Sequence, residues 1–168
     1  MNLARVIACV TLTFIWFSSA NAGSLPEAKN ETILTISGNI ENTNAGLDAQ
    51  FDRDMLETLG LETVETSTPW YDGKVRFEGV SLQKLMTLVG AKGSTVTAIA
   101  LNDYSCVIPL EDFKKYHVIL ALKRDGKYMA IRDKGPLFIV YPYDSDSQLQ
   151  NQLYYTRSAW QVAKLRVE

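Results

Sequence analysis

Histidine and cysteine are nearly missing from this chain of 168 residues, which has one histidine, His117, and two cysteines, Cys9 and Cys106. That scarcity excludes a transition-metal site built from imidazole and thiolate ligands. It also excludes a disulfide-stapled scaffold, so stability has to come from packing. An excess of positive charge is lacking too: 17 Lys and Arg stand against 19 Asp and Glu, a net charge of −2. A nucleic-acid binder recovers counterion-release energy through a basic face, and this balance argues against one. No dense basic cluster stands out, and there is no glycine-rich phosphate loop, nucleophile elbow or zinc signature. Repeats, low-complexity stretches and an internal linker are absent as well. His117 lies between Tyr116 and an apolar run, where a strand-end histidine with a satisfied hydrogen bond is expected rather than a catalytic base.

What is present begins with an address. Arg5 supplies a positive start, Val6 to Phe17 is apolar, and Ala20-Asn21-Ala22 has the small-x-small pattern of a cleavage site. The apolar run is short for a bilayer span, and Ser18, Ser19 and Asn21 follow it at once. Cys9 precedes most of that run, the wrong order for a lipoprotein box. The expectation is a signal peptide, residues 1–22, cleaved after Ala22, and a periplasmic location. Cys9 would leave with it, so Cys106 alone remains and an intramolecular disulfide is impossible. Residues 23–32 read as a flexible leader, and residues 33–167 suffice for one domain with its own core.

Hydrophobic periodicity outlines the elements. Thr32 to Ile40 alternates as a strand, and Phe51, Met55, Leu56 and Leu59 share a helical face ended by Gly60. Val75 and Phe77 alternate up to Gly79. Ser81 then caps a helix with Leu82, Leu85, Met86 and Val89 facing inward and Gly90 as its stop. Thr95 to Leu101 and Cys106 to Ile108 read as strands, and "LEDFKK" after Pro109 as a short helix. Val118 to Arg124 and Lys127 to Arg132 flank Asp125-Gly126, a strong hairpin signal. "DKGP" at Asp133 to Pro136 turns the chain into Leu137 to Tyr141. A polar helix is expected over Ser145 to Leu153, and a last strand over Trp160 to Val167. The fold class is α+β: a single domain with a mixed, largely antiparallel sheet and a few short helices.

Three stretches in order, "TSTPWYDGKVRFEGVSLQKLMTLVGAKG", "AIALNDYSCVIPLEDF" and "LALKRDGKYMAIRDKGPLFIVYP", resemble the molybdopterin-binding oxidoreductase domain of sulfite-oxidase type. The resemblance covers roughly residues 33–167 and implies that fold. It also implies a molybdenum atom held by a cysteine thiolate in the loop before the "FEGVSLQKL" helix entry. Here that loop reads Thr66-Ser67-Thr68-Pro69-Trp70, and hydroxyls are far poorer ligands than thiolate for such a site. Cys106 sits in the later "DYSCVIP" strand, where a small buried hydrophobe is its default role. The short, exported, cysteine-less branch resembles periplasmic pterin-binding proteins of the PruR type. That likeness implies binding of a reduced pterin, no catalysis of its own, and a partner: the periplasmic domain of an inner-membrane enzyme of cyclic di-GMP signalling. The other readings are a molybdopterin-dependent oxidoreductase domain and a plain protein-interaction module.

A pterin is a flat bicycle with donors and an acceptor on one edge, so it needs an aromatic platform and hydrogen-bonding groups at the rim. Trp70, on a Pro69-stiffened loop, is the candidate platform, with packing over a sheet edge as its alternative. As an exposed loop residue it would cost little stability to remove. Rim candidates are Asn102, Asp103, Tyr104 and Ser105 in one turn, Arg132 and Asp133 in another, and Arg157 and Ser158 before the last strand. Turn chemistry is the alternative for Asn102, Asp103 and Asp133. Arg157 draws notice because Tyr154, Tyr155 and Trp160 surround it, with core or edge packing the expected role of Trp160.

Overall fold

The computed structural model describes residues 25–168. The expected signal peptide, with Arg5 and Cys9, lies outside the described residues.

Two largely antiparallel sheets, rather than the single one expected, carry the fold. The first holds β1 (Leu34–Gly38), β2 (Ala49–Phe51), β5 (Thr95–Ala100), β6 (Ser105–Pro109) and β10 (Val162–Val167), in the order β2-β1-β10-β5-β6. Its one parallel pairing sets β1 beside β10, with Thr35 opposite Lys164 and Gly38 opposite Val167. The second holds β3 (Glu62–Thr68), β4 (Tyr71–Ser81), β7 (Ile119–Arg124) and β8 (Lys127–Tyr128), with β9 (Phe138–Val140) also paired to β7. Among the described residues four short α-helices complete it: α1 (Arg53–Thr58), α2 (Leu82–Leu88), α3 (Leu110–Lys115) and α4 (Gln152–Arg157).

The alternating strands place one face each in the core. Leu34 and Ile36 of β1, Val96 and Ala98 of β5, and Val162 and Leu165 of β10 are all buried, in one core cluster with Leu82, Leu85 and Met86 of α2 and Phe113 of α3. The continuous apolar runs of β7 and β9 have the other cause, burial on both faces. Leu120 and Ile139 enter the main core, while Ile119, Ala121, Phe138 and Val140 join Val75 and Phe77 in a second cluster behind. β4 crosses β7 so closely at Gly79 that a Cβ there would meet the Leu120 carbonyl oxygen at 2.2 Å. Only glycine fits that approach. Ser81 caps α2 as its sequence indicates, accepting from the Lys84 N–H, with Leu82, Leu85, Met86 and Val89 buried beneath.

Several elements depart from expectation. Of the loop read over Thr66 to Trp70, Thr66 to Thr68 belong to the edge strand β3, paired along β4 from Glu62–Gly79 to Thr68–Tyr71, and Pro69 and Trp70 form the turn. The polar helix begins later, after 3-10 turns over Tyr143–Ser145 and Ser147–Leu149. His117 is exposed, at φ 51, ahead of β7. The stretch read as a flexible leader is tied down from Leu25 onward. Leu25 is buried and donates to the Thr43 carbonyl, and the Lys29 and Asn30 N–H groups donate to Asp52 Oδ2 at 2.9 and 3.0 Å. Asp52 also accepts from Met55 N–H to cap α1. One buried carboxylate therefore satisfies a helix end and an incoming chain together.

Candidate aromatic cleft

The β3–β4 hairpin delivers Trp70 through a tight Pro69-Trp70 turn, where Thr68 Oγ1 accepts from the Trp70 N–H at 3.3 Å. The hydroxyls beside the indole are occupied in fastening this hairpin. Ser67 donates its N–H and its hydroxyl to Asp144 Oδ2 at 3.0 and 3.2 Å, and Asp144 N–H donates to Thr66 Oγ1 at 3.0 Å. Ser67's N–H, then its hydroxyl and Lys74, hold the Asp144 carboxyl below its ordinary value, against the opposing effect of burial.

Trp70 is half-buried and bridges both apolar clusters. Its ring centre lies 5.5 Å from Phe138, 5.8 Å from Trp160, 6.1 Å from Tyr155 and 6.3 Å from Tyr143. Around it opens a cleft of about 460 Å³, walled by Pro69, Trp70, Tyr104, Tyr155 and Trp160, with Asn102, Gln152, Thr156 and Ser158 as its polar members. That size and mixture suit a small aromatic ligand. A depression of about 340 Å³ shares Pro69 and Tyr155 with it, and one of about 250 Å³ shares Asn102 and Trp160. The three adjoin.

The fold brings four of the sequence candidates to this cleft: Trp70, Asn102, Tyr104 and Ser158. Asn102 Oδ1 accepts from Tyr104 N–H at 3.2 Å, and Tyr104 OH donates to the Thr156 carbonyl at 2.9 Å, so the β5–β6 turn and α4 hold each other. Ser158 is only 4% exposed, and its hydroxyl is engaged inward, with the Tyr154 carbonyl and the Tyr143 hydroxyl. Asp103, at φ 63, is a turn residue, and Ser105 opens β6; both are exposed and neither lines the cleft. Asp133 borders a separate depression with Arg124 and Tyr128, its carboxylate 3.7 Å from Arg132.

Arg157 does not serve the rim. Its guanidinium turns inward to Asp112 Oδ2 at 2.7 Å, and the same oxygen accepts from Tyr141 OH at 2.8 Å. This largely buried triad bolts α4 to α3 and to the end of β9. Sequence reasoning missed Gln152, Tyr155 and Thr156, and gave Trp160 only a packing role. The signal for the first three was present: they sit at i, i+3 and i+4, one face of α4.

The donor set does not fit a molybdenum centre of the implied kind. The hydroxyls of Thr66 and Ser67 are engaged with Asp144, and that of Thr68 with the Trp70 N–H. Cys106 is buried, donates its thiol to the Arg157 carbonyl at 3.7 Å, and has its pKa pushed up to about 11 by burial. A thiol so placed is protonated at neutral pH and does not line the cleft. Among the described residues no group of three or more His, Cys, Asp or Glu is placed to hold a metal ion. No helix among them is long and apolar enough to cross a membrane. Compared with models of known protein families and with curated proteins, the chain matches none.

Proposed function

We propose that the cleft binds a reduced pterin and that the protein acts as a periplasmic binding protein without catalysis of its own, on a molybdopterin-binding fold of sulfite-oxidase type. The observation that carries the reading is the pairing of Trp70 with Trp160 at 5.8 Å in one cleft that also contains Asn102 and Gln152. Indole faces suit a flat bicycle, and side-chain amides can both donate to and accept from its edge. The likeness to the PruR type supports the choice of pterin among flat heterocycles.

A ligand in this cleft touches the β3–β4 turn, the β5–β6 turn and α4 at once. Loading therefore changes how these three elements present themselves, and a partner that distinguishes the two states reads the ligand. The proposed partner is the periplasmic domain of an inner-membrane cyclic di-GMP signalling protein. The test is calorimetric titration with reduced and oxidised pterins, alone and with that domain present. Reduced pterin binds more tightly under this reading, and absence of pterin binding overturns it. By linkage the partner must change pterin affinity by the factor by which pterin changes partner affinity. Equal pterin affinities with the complex formed leave a carrier and no relay.

A further inference from the structure

Beside the aromatic cleft, across Asn102 and Trp160, lies the depression of about 250 Å³ completed by Arg132, Lys134 and Gln161. Two cations and two amides line it together with the indole, and no acidic residue does. The two cations come from the turn after β8, and Trp160 and Gln161 from the approach to β10. In sequence Arg132 is a rim candidate, while Lys134 two residues on carries no such signal.

The placement of Lys134 is built rather than incidental, with Arg132 exposed beside it. Gln161, at φ 55, donates its N–H to the Lys134 carbonyl at 3.0 Å and its side-chain amide to the Ile131 carbonyl at 2.8 Å. Its own carbonyl accepts from Leu101 N–H at 2.9 Å, next to Asn102. One residue thus ties its own segment to the two others that wall the recess. Lys134, at φ 73, lays its ammonium over ring faces: 3.8 Å from the centre of Trp160 and 5.3 Å from that of Tyr71. The Arg124 guanidinium lies 4.5 Å from the centre of the same Tyr71 ring. Burial and Arg124 hold the Lys134 pKa below its ordinary value, with Asp133 opposing. Like charges brought this close repel, and the carboxylate of Asp133 lies at Arg132, 3.7 Å away. An incoming anion would relieve that repulsion and gain charge-assisted hydrogen bonds.

We infer that this recess is an anion subsite, and that the ligand of the cleft is a flat heterocycle carrying an anionic substituent. The ring lies among Trp70, Tyr155 and Trp160, and the substituent passes Asn102 to reach Lys134 and Arg132. The inference rests on the reading of the cleft as a ligand site and names the chemical class of what it holds. A phosphate and a carboxylate share the required chemistry.

The test uses two ligand pairs, each differing only by the anion: hydroxymethyl-dihydropterin and its diphosphate ester, and adenosine and adenosine diphosphate. Calorimetry on the intact chain at low salt is expected to show the diphosphate binding at least about tenfold more tightly than its neutral partner. The ratio should shrink at high salt, because the recess is open to solvent. Lys134→Gln removes the ammonium over Trp160 and, combined with Arg132→Gln, should bring the ratio close to one, with circular dichroism verifying the fold. Equal affinity within both pairs, or a preference that survives the double substitution, overturns the subsite. Neutral pterin binding without gain from the diphosphate refutes the subsite and leaves the pterin reading standing. A preference seen in the adenosine pair while neither pterin binds does the reverse. If no compound binds, both are overturned.

Discussion

Replacing Trp70 with alanine should damage both stability and ligand binding, and the two losses can be sized separately. Trp70 is half-buried, and four ring centres lie within 5.5 to 6.3 Å of its own. Removing a fully buried tryptophan costs roughly 3–5 kcal/mol, so a half-buried one that joins two clusters should cost about 2 kcal/mol. That exceeds the small cost expected of an exposed loop residue. For binding, a lost aromatic stack is worth roughly 0.5–1.5 kcal/mol beyond its area. With the lost contact area the affinity for reduced pterin should fall more than about tenfold. Urea unfolding followed by circular dichroism gives the first loss, and calorimetry well below the unfolding transition gives the second. Trp70→Phe keeps part of the packing and should recover more stability than affinity. A Trp70→Ala protein with an unchanged urea midpoint and normal pterin affinity would refute the argument on both counts.

Arg157→Ala should destabilise by about 3 kcal/mol, the low end for breaking a buried pair, because it leaves the Asp112 carboxylate with Tyr141 as its remaining polar contact; a urea-derived loss under about 1 kcal/mol would show that water compensates. Asp144 has a lowered folded-state pKa, so its contribution is present above the ordinary value of 3.8 and lost as pH falls through the folded value. Asp144→Asn should therefore lose stability at neutral pH, with the gap to wild type closing in acid, as urea midpoints across that range would record. Cys106, buried and with its pKa at about 11, should react with an aromatic disulfide reagent at neutral pH only after unfolding; rapid reaction of the native protein would contradict the assigned burial.

Local signals were readable wherever one strong physical preference acted alone. Ser81 followed by Leu82, Leu85, Met86 and Val89 marked a capped, one-faced helix, and Asp125-Gly126, at φ 50 and 76, marked a hairpin. β3 escaped because, as an edge strand, it buries only Thr66 fully, a polar residue among exposed charges. The cleft was half legible. Trp70 and the Asn102–Tyr104 turn announce themselves by a large aromatic or amide in a turn. Arg157 shows the limit: its aromatic neighbours identify a crowded place, but not which way a guanidinium points. That direction was set by Asp112, which lies 45 positions away in sequence. Lys134 and Gln161 likewise owe their roles to a meeting of loops that no local pattern records.

The parallel pairing of β1 with β10 also sets an order of events in time. β10, the last strand among the described residues, lies between β1 and β5 and holds the two halves of its sheet together. While a ribosome is still extending the chain, β1 and β2 have only each other, as do β5 and β6, and isolated strand pairs are marginal in water. Closure across such a separation is slow, and it cannot begin until Val162–Val167 has been synthesised. Trp160 and Gln161 immediately precede that strand, so the aromatic cleft and the cationic recess are completed by the same late step. The nascent chain has no finished binding site to offer a ligand; competence to bind arrives with the last strand.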